Sequence, residues 1–186
     1  MKLLSTIILA LVLTMPVFSQ TEVAGIELPN KQTFGQHDMM LNGAGVREKF
    51  WMDMYAGGLY VTEKMSNAQN VMNADKPMAI KIHIVSGLIS SKKMSDAVEE
   101  GFENSTKGNI EAYRKKIDQF KAFFSEKIQK QDVFDITYQP EKGIVVYKNN
   151  KELGTIEGLE FKKMLFGIWF CDEPADEDLM EGMLNL

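Results

Sequence analysis

The sequence has few of the side chains that most catalytic and metal-binding sites require. Its single cysteine, Cys171, means that no disulfide can form within the chain. Its two histidines, His37 and His83, stand apart from any cysteine or carboxylate at ligand spacing. This pattern argues against a metal site and against histidine-based catalysis. We therefore expect neither a metal nor a cofactor.

Motifs for nucleotide binding and for serine hydrolases are also missing. The glycine-rich segment 43–47 (GAGVR) lacks the lysine and the Ser/Thr of a phosphate-binding loop, and no helix pattern follows it. No Gly-x-Ser-x-Gly elbow is present. Acidic residues outnumber basic ones by 26 to 21. Since an acidic chain does not concentrate phosphates around itself, we do not expect nucleic acid as a partner.

The first 19 residues have the pattern of a secretory signal peptide. Lys2 precedes an apolar run over residues 3–13, and Pro16 and the small residue Ser19 follow. We predict a signal peptide of residues 1–19 and a single domain of residues 20–186, in an exported and periplasmic bacterial protein. The apolar run is too short for a membrane span, so we expect none after cleavage. An uncleaved anchor is the alternative.

Sequence periodicity before residue 87 predicts mainly strands. Alternating or aromatic-rich segments predict four of them, at residues 23–30, 37–48, 49–63 and 78–86. The second and third are expected to surround a turn at residues 47–49. In the fourth, Lys81 and His83 alternate with isoleucines, which predicts a half-buried strand. Ser66 is a suitable N-cap for a short helix before that strand.

In the rest of the chain, the spacing of the apolar residues changes from helical to strand-like and back to helical. Apolar residues at helical spacing predict helices at residues 90–108, 109–129 and 159–170, and after an Asp176 cap. Strands are predicted at residues 132–140, 143–150 and 153–158. The order of strands, helices, strands and helices predicts an α+β fold, in which helices pack on a large, mainly antiparallel sheet.

Residues 41–61 (LNGAGVREKFWMDMYAGGLYV) resemble the chalcone isomerase-like superfamily. The matching elements are a Gly-Ala-Gly-x-Arg turn, an aromatic-rich strand and a Gly-x-Tyr ending at Gly58, Leu59 and Tyr60. The similarity extends from about Phe34 to the end of the chain, and it is greatest to secreted bacterial members. It implies an open-faced β-sandwich with a ligand cleft between sheet and helices.

The resemblance also implies a role for Arg47. Plant chalcone isomerase cyclises a chalcone and holds a phenolate with the matching arginine, whereas related plant proteins use it, with a tyrosine, to hold a fatty-acid carboxylate. The other polar positions of the enzyme are matched here by Tyr55, Met94, Gly101 and Ile168. These replacements imply a fatty-acid binder and not a chalcone–flavanone isomerase.

The residues themselves favour a carboxylate site around Arg47. A guanidinium pairs with a carboxylate through two parallel hydrogen bonds, and a tyrosine hydroxyl adds a third donor. In simple alternation, Arg47, Trp51 and Tyr55 share one strand face. We predict that these three residues and Met94 bind a small amphipathic acid, such as a fatty acid, without catalysis.

Three alternatives compete with this hypothesis. Arg47 would instead close a structural ion pair with Asp53 or a helix carboxylate. The protein would be an isomerase or intramolecular lyase on another substrate, with Arg47 as the catalytic residue stabilising an oxyanion. Or it would be an envelope interaction module whose cleft is filled by side chains.

Overall fold

The computed structural model describes residues 20–186, so the predicted signal peptide lies outside the described residues. Strands β1 (Gln20–Val23) and β2 (Ile26–Pro29) form a separate hairpin. The other strands form one antiparallel sheet in which sequence order is also spatial order. They are β3 (Lys31–Phe34), β4 (His37–Lys49), β5 (Met52–Val61), β6 (Met78–Ile84), β7 (Val133–Gln139), β8 (Gly143–Lys148) and β9 (Lys151–Ile156).

Within the described residues, five α-helices accompany the sheet, which confirms the predicted α+β class. They are α1 (Ala68–Asn73), α2 (Ser91–Ser105), α3 (Arg114–Ala122), α4 (Leu159–Phe170) and α5 (Glu177–Leu184). Within residues 20–186, no helix combines the length and the apolar character needed to cross a membrane. The predicted apolar stripe of the third helical segment is in the main core: Ile117, Phe120 and Phe124 are buried there with strand residues.

The second face of the sheet is also covered, which the sequence did not predict. The β1–β2 hairpin and β3 supply Leu28 and Phe34 to a small separate core. Lys81, expected on a solvent face, is therefore buried, and its Nζ donates to Asp135 Oδ1 at 2.6 Å on the neighbouring strand. The prediction of a half-buried β6 was wrong here because a carboxylate directly across the ladder neutralises the lysine.

Three local predictions also need correction. The β4–β5 turn lies at Phe50 and Trp51, not at residues 47–49, because both residues adopt the left-handed conformation (φ 53° and 59°) that a two-residue hairpin turn requires. The predicted first strand is a hairpin that turns at Ala24 and Gly25. Helix α1 is capped by Asn67, and not by Ser66, because the Asn67 side chain accepts from the amide of Asn70.

Glycines of β4 allow helix α5 to pack closely on this strand. Gly43 and Gly45 lie inside the strand, not in a turn, and a Cβ on Gly43 would lie 2.2 Å from the carbonyl oxygen of Gly182. On the helix side, a Cβ on Gly182 would lie 2.6 Å from the carbonyl oxygen of Ala44. The glycines thus allow helix and strand backbones to touch, and this contact supports the strand that carries Arg47.

Candidate functional site

A cleft of about 380 Å³ opens between the β4–β5 hairpin and helix α2. The end of β4 and the start of β5 form one wall, and α2 with the loop before it forms the other. Its lining is mainly apolar and includes Phe50, Met52, Met54, Leu88, Ile89 and Met94. The volume lies at the lower end of the range for small-molecule sites.

Arg47 and Tyr55 face each other across β4 and β5 on the wall of this cleft. They are direct partners in the strand register, and the ladder is irregular immediately after Arg47. The guanidinium carbon lies 5.9 Å from the centre of the Tyr55 ring, within the range of a cation–π contact. Arg47 is half-buried and Tyr55 is buried. The structure thus brings together the two residues that the sequence analysis chose first.

No carboxylate lies within ion-pair distance of the Arg47 guanidinium in the part of the chain that the structure describes. The nearby Asp176 accepts hydrogen bonds from the backbone amides of Glu48 and Leu179 instead, at 3.1 and 2.9 Å. These bonds anchor the start of α5 to the end of β4. The arginine is therefore held by packing on Tyr55 and not by an ion pair with Asp53 or with a helix.

Trp169 of helix α4 completes the inner wall, and the sequence analysis missed it. Its Nε1–H donates to the Tyr55 hydroxyl oxygen at 2.9 Å, and both side chains are buried. Because the phenol oxygen accepts this bond, its own hydrogen remains for another acceptor. A tryptophan in an apolar helix could have indicated this contact, since a buried indole N–H needs a hydrogen-bond acceptor.

Burial controls the protonation of Tyr55. Loss of solvent raises the pKa of this phenol, while the positive charge of Arg47 and the hydrogen bond from Trp169 act in the opposite direction. The net effect is an increase, so the phenol is protonated at neutral pH. Tyr55 can donate a hydrogen bond to a ligand, but it is not a base under these conditions.

The inner end of the cleft is filled. Behind Arg47 and Tyr55 only about 20 Å³ remains, among side chains that include Phe120, Phe124 and Ile168. Gly101 packs against Ile168, where an added Cβ would lie 2.7 Å from the isoleucine side chain. Gly101 and Ile168, which match polar positions of the enzyme in the resemblance, are therefore part of a packed apolar floor. The open space of this cleft lies on its outer side.

Both signs of charge occur around the mouth of the cleft. Lys49 and Lys93 line it together with Asp96 and Glu100. Asp96 also pairs with Lys92 on the exposed face of α2. Across residues 20–186, no three Cys, His, Asp or Glu side chains are grouped to hold a metal ion.

The two remaining predicted residues lie in different places. Met94 is buried on α2 and lines both the cleft and the small space behind it. Trp51 is 95% exposed at the hairpin turn, outside the cleft lining. Its placement beside Arg47 was wrong because residues 50 and 51 form the turn, so strand alternation does not continue from Arg47 to Trp51.

Comparison with known proteins gives one family and a fold match. A family model described as chalcone isomerase-like matches residues 20–185. The crystal structure of the Arabidopsis thaliana fatty-acid binding protein AtFAP1 is similar, with a TM-score of 0.71 and 20% sequence identity, over 87% of this chain and 92% of that one. No curated protein matches the sequence significantly.

Proposed function

The chain belongs to the chalcone isomerase-like family, and from this premise we propose that it binds a small amphipathic acid, such as a fatty acid, without catalysing a reaction. One observation carries the proposal. Arg47 and Tyr55 stand on the wall of an apolar cleft, and no protein carboxylate in residues 20–186 pairs with the guanidinium. A ligand carboxylate would fill that place.

The acidic head is held by Arg47 and Tyr55. The guanidinium lies beside the tyrosine ring and makes no ion pair in residues 20–186, so its N–H groups are available for two parallel bonds to a carboxylate. The Tyr55 hydroxyl, whose oxygen already accepts from Trp169, donates its hydrogen to the same carboxylate. Half-burial of Arg47 strengthens these bonds, since charges interact more strongly away from water.

The tail lies outward along the cleft because the floor is closed. Met52, Met54, Ile89 and Met94 provide flexible and apolar contacts. Since one molecule of liquid water fills roughly 30 Å³ and a methylene group is of similar size, 380 Å³ takes on the order of a dozen non-hydrogen atoms. A longer tail would protrude past Phe50 and Leu88.

Two features favour binding over isomerisation. Tyr55 is protonated at neutral pH and so does not act as a base. Met94 and Ile168, which match polar positions of the isomerase, have apolar side chains and cannot exchange a proton with a ketone oxygen. An isomerase or lyase would need its proton donor and acceptor at these places.

The place of action in this proposal is outside the cytoplasm, in the periplasm. The pattern of residues 1–19 supports export of the chain and cleavage after Ser19. N-terminal sequencing of the protein from the periplasmic fraction tests it, and the expected first residue is Gln20. A protein that keeps Met1 there would contradict the proposed cleavage.

Mass spectrometry of small molecules that copurify with the native protein tests the binding function directly. We expect acids with an apolar tail, released on denaturation, and titration with dodecanoate should refill the emptied cleft. The matched comparison is dodecanol, which has the same tail but no carboxylate and should bind at least tenfold more weakly. Equal binding of acid and alcohol, or turnover of a chalcone that depends on Arg47, would reject the proposal.

A further inference from the structure

The β4–β5 turn presents large apolar side chains to solvent. Phe50 and Trp51 form this turn and are 73% and 95% exposed, and Met52 follows at 42%. We call these three residues the hairpin tip. Leu88, 48% exposed, lies on the opposite rim of the cleft. Four of the five large exposed hydrophobic side chains of residues 20–186 are thus gathered at one place.

The backbone of the tip is unfavourable for the residues that occupy it. Both Phe50 and Trp51 have positive φ, a conformation that favours asparagine and glycine and is rare for bulky side chains. The other two-residue hairpin turns in residues 20–186 use small or polar residues: Ala24 with Gly25, Gly35 with Gln36, and Asn149 with Asn150. Two aromatic residues in a strained turn indicate a function that outweighs the cost.

The tip is continuous with the mouth of the cleft. Phe50 and Met52 line the cleft directly, as does Leu88 from the other wall. A surface in contact with the tip would therefore also be in contact with the opening through which an amphipathic molecule passes.

The apolar area of the two turn residues is about half of what one partner buries in a specific protein interface. An aromatic side chain has roughly 150–250 Å² of surface, so Phe50 and Trp51 together offer on the order of 300–400 Å². A specific protein interface buries about 800 Å² on each partner. A lipid bilayer needs no matching surface, and a narrow protruding tip can enter its interfacial region, where tryptophan is favoured.

The charges beside the tip fit a zwitterionic bilayer. Glu48 and Lys49 precede the hairpin tip and Asp53 follows it. Lys93 and Asp96 lie on the facing rim. Both signs are present at similar numbers, so neither anionic nor cationic lipids are strongly preferred. These side chains would meet the phosphate and amine groups of the lipid heads.

We propose that the hairpin tip inserts into the surface of a lipid bilayer and sets the mouth of the cleft against it. The inference rests on the proposed function in one respect, since a cleft that opens onto lipid has a use only if it takes an amphipathic molecule. The insertion itself depends on Phe50, Trp51 and Met52 and is measurable without any fatty acid.

Vesicles of phosphatidylcholine provide the test. The chain has two tryptophans, and Trp169 is 5% exposed, so a blue shift of emission on vesicle addition reports Trp51. Brominated phosphatidylcholine should quench that emission. Trp51→Gly places the preferred residue in the second turn position, so the hairpin keeps its conformation. Because this variant lacks the reporting tryptophan, its binding is measured by cosedimentation with vesicles, and it should fall at least tenfold. Asn150→Gly, at the same position of the β8–β9 turn, is the matched control and should bind like the unaltered protein.

Several results would overturn the proposal. One is that the unaltered protein does not bind phosphatidylcholine vesicles, and another is that Trp51→Gly binds them equally well. Binding to phosphatidylglycerol vesicles alone would assign the surface to anionic lipid. A dimer in sedimentation that Trp51→Gly dissociates would assign the tip to a second copy of the chain. Dodecanoate titration without vesicles is independent, so failure of the proposed function and failure of the membrane contact are distinguishable.

Discussion

Arg47 lies directly across the β4–β5 ladder from Tyr55, and the same tyrosine accepts a hydrogen bond from Trp169 on helix α4. The aromatic ring of Tyr55 thus lies next to Arg47, and the Tyr55 hydroxyl oxygen lies next to the Trp169 indole. This arrangement fixes the tyrosine from two elements, the sheet and α4, and it gives the guanidinium an aromatic surface in place of a carboxylate.

Replacement of Arg47 should weaken binding without weakening the fold. Charge-assisted hydrogen bonds contribute about 1.5–3 kcal/mol, so Arg47→Ala should lower dodecanoate affinity roughly tenfold to a hundredfold. Arg47→Lys should recover part of it, because an ammonium has no planar fork. Calorimetric titration and thermal unfolding of the same variants measure both quantities.

Lys81→Ala is the control for this experiment. It removes the partner of buried Asp135 on the far face of the sheet, which should lower the free energy of unfolding by about 3–5 kcal/mol. Dodecanoate affinity should not change. If Arg47→Ala instead unfolds as early as Lys81→Ala while it still binds dodecanoate normally, Arg47 has a structural role.

Tyr55 and Trp169 should act as a coupled pair. Tyr55→Phe leaves the Trp169 N–H buried without an acceptor, which costs about 1–3 kcal/mol of stability. Trp169→Phe removes the donor instead. The double variant should lose less stability than the sum of the two single losses, by about 0.5–3 kcal/mol. Additive losses in denaturant unfolding would contradict the hydrogen bond.

Affinity for straight-chain acids should rise with length and then level off. Each buried methylene contributes about 0.8 kcal/mol, or close to fourfold in affinity. The gain should end at on the order of a dozen non-hydrogen atoms, when the cleft of about 380 Å³ is full. Titration of a series from hexanoate to octadecanoate measures the curve. A steady rise to the longest acid would show that the floor behind Tyr55 opens.

The stability of the protein should increase from neutral to mildly alkaline pH because of Lys162. This side chain is fully buried, and burial lowers its pKa to about 7. Its ammonium donates to three carbonyls of the segment that includes α1, those of Val71, Met72 and Ala74. Between pH 7 and the ordinary pKa near 10.4, the unfolded chain holds a proton that the folded chain has released. The free energy of unfolding therefore rises with pH in this window.

The slope of this rise is at most about 1.4 kcal/mol per pH unit, since a single proton is involved. Above about pH 10 the trend should reverse, since burial raises the pKa of Tyr60 and Tyr138 and unfolding then releases their protons. Urea unfolding at several pH values measures the curve. In Lys162→Met the rise between pH 7 and 10 should vanish, and an unchanged rise would assign it to other groups.

Sequence patterns were sufficient for the architecture and for one pair of site residues. The α+β class, the apolar third helical segment and the cap at Asp176 are all local or periodic signals, and the structure contains them. Arg47 and Tyr55 are separated by one hairpin, so their meeting needed only the pairing of adjacent strands.

The errors came from contacts that no local pattern records. Neither Phe50 nor Trp51 is a typical turn residue, so the sequence predicts the turn at residues 47–49, close to Gly43 and Gly45. Strand alternation then places Trp51 on the same surface as Arg47, which is wrong. Alternation alone predicts an exposed Lys81, because its partner Asp135 is 54 residues away. Trp169 reaches Tyr55 across 114 residues. In each case tertiary packing overrides a local preference, as is expected where burial outweighs propensity.

The packing of α5 on β4 also determines when the proposed ligand site around Arg47 can form. Asn42 donates to the carbonyl of Met183, and the amide of Glu48 donates to Asp176, contacts that span 141 and 128 residues. Closing such long loops is entropically costly and slow. At about 5–20 residues per second, synthesis of the 128 to 141 residues between these partners takes roughly 6 to 28 seconds. The strand that bears Arg47 is therefore among the first parts of the sheet to be synthesised and among the last to reach its final packing.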